Sequence, residues 1–291
     1  MLTDQRRRVK VVTDSAADIP AEIAHELDIT VVPLLVHMGG RTYRDGVDLS
    51  GEEFYRELEA TRSVTTTSLP SLDSFADAYR RITSEGYDVV SVHLSSKLSG
   101  TYNAALMAST SDGVPMEAVS VVDSRTLSMG EGWIAIKAAE AARDGASQAD
   151  VAALAESLVP RVRVYGALDT LEYVIRSGRV SRLPGTVGTL LSVKPILTTR
   201  PNGEAIILER VRTRHRSLER IVELTAEAGP IERLAVMHGA DEQGAAELME
   251  LLRPLDVPQP VVVAHIGAML GTHVGPGVVG VCFLQSTGDS G

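Results

Sequence analysis

At 291 residues, 44% hydrophobic and 23% charged, the chain has the composition of a globular protein long enough for two domains. A formal net charge of −10 disfavours wrapping nucleic acid or lying on an anionic membrane, since both need a basic surface. The single cysteine, Cys282, excludes an internal disulfide and a multi-cysteine zinc site and fits a reducing cytoplasm, and no apolar run reaches membrane-spanning length.

In chain order, Arg6-Arg7-Arg8 is followed by Val9-Lys10-Val11-Val12 and then Asp14-Ser15, too soon polar for a signal peptide, so it reads as a solvated tail before a strand. Ser50-Gly51-Glu52-Glu53 has capping-box spacing ahead of the apolar pair Phe54 and Leu58. Asp73 is the expected cap of a helix carrying Phe75, Tyr79 and Ile82, stopping near Gly86. Val89 to Leu94 and Val119 to Val122 are β-branched runs that end in small polar residues before helical stretches, the rhythm of a parallel sheet covered on both faces.

An alanine-rich helical region from Gly130 ends around Val159-Pro160-Arg161, where the domain boundary is expected: 9–160 for the first domain and 161–285 for the second. Beyond it, Lys194 to Thr199 and Glu204 to Val211 flank Arg200-Pro201-Asn202-Gly203 as a hairpin. Helical patterns at Ser217 to Ala228 and Glu242 to Leu252 separate strands Leu234 to Met237 and Val261 to His265. Cys282 falls in a core strand, Val278 to Leu284. The fold class is therefore α/β, with a mostly parallel first sheet and a mixed second domain.

The run Leu94-Ser95-Ser96-Lys97-Leu98-Ser99-Gly100-Thr101 lies where a strand hands over to a helix. Unpartnered backbone N–H groups and the helix dipole receive anions there, and Ser99, Thr101 and Gly100 add hydroxyls and close approach. Taken alone, Ser99 also fits a simple helix cap. Gly275-Pro276-Gly277-Val278-Val279-Gly280 matches a dinucleotide fingerprint by letter, but a strand-like run follows where a helix should begin. Among familiar motifs there is no phosphate-cradling Gly-Lys-Ser/Thr loop and no paired-histidine metal helix, so nucleotide or metal dependence is disfavoured. What remains is hydroxyl-rich: Thr65-Thr66-Thr67-Ser68-Leu69-Pro70, the serine loop, and His273 in a glycine-flanked segment expected to be a loop.

Val12-Thr13-Asp14-Ser15, Thr67-Ser68-Leu69-Pro70-Ser71, Ser95 to Tyr102 and His273-Val274-Gly275-Pro276-Gly277 together resemble the DegV family of fatty-acid-binding proteins, in family order over nearly the whole chain. The resemblance implies a two-domain fold with a ligand tunnel between α/β lobes. It also implies a long-chain fatty acid whose carboxylate is held by Thr67, Ser99 and His273, with the Gly100 amide as a further donor, and no other cofactor. Family members of this type hand the acid to a separate fatty acid kinase that forms an acyl phosphate for phospholipid metabolism. Arg179 and Arg212 match two arginines implicated in that step. The chain would then be a cytoplasmic, non-enzymatic subunit that binds no ATP and touches membranes only transiently. Two positions depart from the family: Leu69 stands where glutamine is common and Thr66 where lysine is. A hydrolase with Ser99 as nucleophile and His273 as base is the alternative, although no acid near His273 in sequence and no glycine two residues before Ser99 support it.

Overall fold

The computed structural model describes residues 8–61, 63–181 and 193–287; Arg6 and Arg7 of the basic run lie outside them. In the first half, β1 (Val9–Asp14), α1 (Ala21–Glu26), β2 (Thr30–Val32), β3 (Leu35–Met38), β4 (Arg41–Arg44) and α2 (Gly51–Thr61) precede β5 (Thr66–Ser68) and α3 (Leu72–Ser84). There follow β6 (Asp88–His93), α4 (Thr101–Ala108), β7 (Val119–Asp123), α5 (Met129–Arg143) and α6 (Gln148–Leu158). The second half holds β8 (Val162–Ala167), α7 (Glu172–Ser177), β9 (Val180–Ser181), β10 (Lys194–Thr199), β11 (Ala205–Val211) and α8 (Arg214–Glu227). It ends with β12 (Ile231–His238), α9 (Glu242–Leu252), β13 (Val262–His265), α10 (Ala268–Val274) and β14 (Val279–Gln285).

Three sheets form among the described residues. A four-stranded sheet ordered β2-β1-β6-β7 is parallel throughout, and a three-stranded antiparallel sheet, β4-β3-β5, carries the threonine segment. The seven-stranded sheet β13-β12-β14-β8-β10-β11-β9 is mixed, with parallel pairs only at β12/β13 and β11/β9. The expected α/β class with a parallel and a mixed sheet is therefore what the chain forms. The Val-rich strands β1 and β6 are buried almost throughout, as strands covered on both faces must be. Helix α5 lies between the halves: Trp133 of α5 donates its indole N–H to the Cys282 carbonyl in β14 at 2.9 Å. One hydrophobic cluster accordingly contains Val11 and Val92 from the parallel sheet and Val164 and Cys282 from the mixed sheet.

Local chemistry accounts for the ends. The capping box at Ser50 forms, with Glu53 accepting from the Ser50 amide at 3.0 Å and its own amide donating to Ser50 Oγ at 3.2 Å. Three expectations need correction. Ser71 and not Asp73 occupies the cap of α3; Asp73 sits in the first turn, where a carboxylate also complements the dipole. The alanine-rich region is two helices, because Gly145 at φ +89° ends α5 and Ser147 caps α6 by accepting from the Asp150 amide at 3.2 Å. His273 lies on the last turn of α10 and not in a loop.

Candidate functional site

Helix α10 is short, and its N-terminus is capped from the other half of the chain. Asp18 accepts from the Gly267 amide at 2.9 Å and Asp45 from the Ala268 amide at 3.0 Å, so two remote carboxylates meet donors the helix leaves unpartnered. Its last turn then presents His273 to β5. In β5 the side chains alternate: Thr66 and Ser68 are exposed, and Thr67 points inward to make a 2.9 Å hydrogen bond with His273 Nε2. Ser68 instead bonds the half-buried His37 ring at 2.8 Å.

The serine loop divides its labour. Ser95 Oγ donates to the Gly203 carbonyl at 2.8 Å, and Ser96 Oγ donates to Asp123 at 2.5 Å. The hairpin turn before β11 thus docks on the loop, and it can do so because Gly203 has φ +89° and no side chain, where a Cβ would lie 2.3 Å from Ser95 Oγ. Ser99 is free of such anchoring. Its hydroxyl bonds Thr101 Oγ1 at 2.8 Å and accepts from the Thr101 amide at 3.3 Å, while Gly100 caps α4 without a side-chain bond.

Three hollows join around these residues. The first is walled by aliphatic side chains including Leu94, Val164, Leu197, Met237, Ile266 and Val281, with His273 and Arg179 also on its lining. Its walls suit a hydrocarbon. The second is polar and bounded by Thr67, Ser68, Ser96, Lys97, Ser99 and Gly100. It shares Leu98, Met269 and Arg179 with the first. The third has Thr66, Thr67, Arg176, Arg179 and His273 on its walls. An apolar slot therefore opens toward a polar mouth, and Arg179 borders all three spaces.

Electrostatics at the mouth is cationic and donor-rich. Burial, and secondarily the positive charge of Arg179, holds His273 down at about 4, so its imidazole is neutral at neutral pH. Its Nδ1 is shielded from solvent and has no hydrogen-bond partner among the described residues. The Arg179 guanidinium donates to the Ser177 carbonyl at 2.6 Å but is otherwise exposed.

Thr67 and His273 thus meet directly, and Thr67 shares the polar hollow with Ser99 and Gly100. Arg212 does not join them. Arg179 adjoins Val180, which pairs with Ala205, whereas Arg212 follows the far end of β11, roughly 20 Å away at about 3.3 Å per strand residue. Leu69 lies against Gly100, where a Cβ would meet Leu69 Cδ1 at 3.1 Å, so an apolar side chain covers the spot expected for a polar one. The hydrolase geometry is not formed either: Ser99 bonds Thr101, His273 bonds Thr67, and among the described residues no carboxylate orients His273. Sequence reasoning assigned no role to Lys97 or Arg176, and it missed the aliphatic walls, which come from many separate elements. Only the lysine within the serine motif carried a readable signal.

The carboxylates behind α10 make a pH prediction. Burial pushes Asp18 up to about 8 and Asp45 up to about 6, above the ordinary 3.8. In the window between, the folded protein holds protons that the unfolded chain releases. Their contribution to stability is full below about pH 4 and is lost as pH rises through about 6 and then about 8. The melting temperature of the Asp18→Asn protein is expected to fall less than that of the wild type between about pH 6 and about pH 9; equal slopes would contradict the assignment. His273 has the opposite sign, since its contribution is lost as pH falls from its ordinary 6.5 toward about 4.

The aliphatic slot thus ends among hydroxyls, an imidazole and a guanidinium. The chain belongs to the DegV family: the family model, described as "Uncharacterised protein, DegV family", matches residues 8–286. Among curated relatives, a DegV domain-containing protein of Streptomyces coelicolor is 38% identical over 281 residues, covering 94% of this chain and 98% of the relative. Protein DegV of Bacillus subtilis is 36% identical over 281 residues, with 94% and 98% covered. The crystal structure of DegV from Bacillus subtilis, described as a fatty acid binding protein, aligns with TM-score 0.85 at 35% identity, covering 96% of this chain and all of that one. A DegV family protein from Thermus thermophilus, described for its fatty acid binding, aligns with TM-score 0.86 at 31% identity and the same coverage. Among the described residues, no helix is long and apolar enough to cross a membrane.

Proposed function

We propose that this chain binds one long-chain fatty acid between lobes formed by residues 9–160 and 161–285. The tail would fill the aliphatic slot, and the carboxylate would be held by Thr67, Ser99, the Gly100 amide and His273. The observation that carries this reading is the buried Nδ1 of His273, without a partner among the described residues, on a ring that bonds Thr67 and lines both the apolar slot and the third hollow. A buried polar atom without a partner is costly, and a ligand oxygen or a water relayed to it removes that cost.

Energetics favours an amphiphile. About fifteen methylenes gain roughly 12 kcal/mol gross on burial at about 0.8 kcal/mol each, before association and ordering are subtracted. The tail therefore supplies affinity. An ionised carboxylate cannot enter the slot unpaired, so the donors fix which end stays at the mouth. The bound chain would be presented, in the cytoplasm, to a separate kinase that forms the acyl phosphate. Arg179 would meet the growing negative charge, since a guanidinium matches phosphate oxygens in pairs. Arg212, remote from the slot, would serve as a contact for the kinase surface.

Mass spectrometry of an organic extract of the purified protein is expected to yield a stoichiometric long-chain fatty acid. No lipid in the extract, with no thermal shift on adding palmitate or oleate, would overturn the reading. Arg179→Ala and Arg212→Ala proteins are expected to keep fatty-acid binding within about twofold and to slow acyl phosphate formation tenfold or more, on the scale of a lost charged contact. Loss of lipid uptake in either would show that the arginine serves the carboxylate instead.

A further inference from the structure

A second constellation lies at the carboxyl ends of β12 and β13, apart from the mouth of the slot. His238 and His265 are the last residues of these parallel neighbours and stand opposite each other in register. Their rings are 5.0 Å apart at 77°. Glu242, the first residue of α9, follows β12 by a short turn and brings a carboxylate to the same place. One ligand atom from each of the three lies within 4.8 Å of the others.

Two observations distinguish this group from packing alone. His238 is only 7% exposed, yet its Nδ1 has no hydrogen-bond partner among the described residues, a cost that a ligand would relieve. Room has also been left for the His265 ring, because a side chain on Gly51 would come within 2.5 Å of His265 Nδ1. The other close group of potential ligands, Asp14, His93 and Glu131, is fully buried. Both His93 nitrogens there are already used, by Asp14 at 2.9 Å and Ser91 at 2.6 Å. That network has no imidazole nitrogen to offer. At His238 the exposed Glu242 supplies both charge and access from solvent.

We propose that His238, Glu242 and His265 form a binding site for a divalent first-row transition ion, with zinc the ion the ligand set suits best. Two imidazoles and one carboxylate satisfy three positions of a four-coordinate ion and leave the fourth to water. Ligand atoms around bound zinc lie about 3.4 Å apart, as tetrahedral bonds of about 2.1 Å require, so the site closes by side-chain rotation, chiefly of Glu242. Met237 and Ile266, the chain neighbours of the two histidines, line the aliphatic slot, so the ion would sit behind the slot's wall and outside it.

The test uses the full chain stripped with a chelator, dialysed against zinc chloride and, separately, titrated with cobalt(II). One zinc per chain is expected, with the intense visible bands of low-coordinate cobalt. Glu242→Gln, an exposed change that leaves the fold intact by circular dichroism, is expected to weaken zinc binding tenfold or more. His265→Ala is expected to abolish stoichiometric binding. His215→Ala, which removes an exposed imidazole lying between Glu219 and Glu247, is expected to leave it unchanged. Substoichiometric zinc in the wild type, indifference to Glu242→Gln and His265→Ala, or loss with His215→Ala would each overturn the proposal.

Discussion

Replacing Gly166 by leucine is expected to lower fatty-acid affinity about 100-fold while the lipid-free protein melts no lower than the wild type. Gly166 sits in β8, paired with Gly280 on one side and Leu197 on the other, and it lines the aliphatic slot. A Cβ built there meets only Val278 Cγ2, at 3.9 Å, which is ordinary contact. The backbone therefore tolerates a side chain, and the slot receives it. Leucine adds four carbons and displaces about as many methylenes of the ligand, which at about 0.8 kcal/mol each is about 3 kcal/mol, or two decades in affinity. Strand glycine is itself unfavourable, so the apo fold does not suffer. Titration with a fluorescent fatty acid and a melt of delipidated protein check both halves; unchanged affinity would place the tail elsewhere.

The second large effect concerns the head group. His273→Ala and Thr67→Val are each expected to weaken binding of the acid by roughly 10- to 100-fold, the range of about 1.5–3 kcal/mol for a hydrogen bond to a charged group. Because Thr67 and His273 share a 2.9 Å hydrogen bond, the double variant should lose clearly less than the sum of the two. The methyl ester offers a sharper comparison. It keeps the tail and removes the charge, so the wild type should prefer acid to ester, and His273→Ala should largely lose that preference. Equal loss for acid and ester would mean that His273 only shapes the slot. Binding should also take up a proton in mildly acidic buffer, since His273 titrates near 4 without ligand and a bound carboxylate raises that value. Calorimetry in two buffers of different ionisation enthalpy measures it.

Much of the frame was readable from one-dimensional patterns. The runs at Val9 and Val89 form β1 and β6 because β-branched residues buried on both faces leave few alternatives to a parallel strand, and the run at Val119 forms β7, the half-buried strand at the edge of the same sheet. Pro201-Asn202-Gly203 forms the hairpin turn between β10 and β11, as its φ requirements demand. The capping box at Ser50 and the limits of α9 are local chemistry and were equally legible. At His273 the pattern misled because a distant contact had intervened. His273 is helical because Asp18 and Asp45, more than two hundred residues away in the chain, cap α10.

The sequence by itself determined the α/β class, the family and the hydroxyl and imidazole residues that recur in its motifs, because each depends on neighbours within a few positions. Tertiary structure alone decided that Thr67 bonds His273, that Arg212 stands away from Arg179, that Ser95 anchors a loop while Ser99 faces the hollow, and that His238 and His265 lie side by side. These are contacts across strand register and between lobes. No local spacing encodes them, because burial of the shared core fixes which strands pair and at what offset.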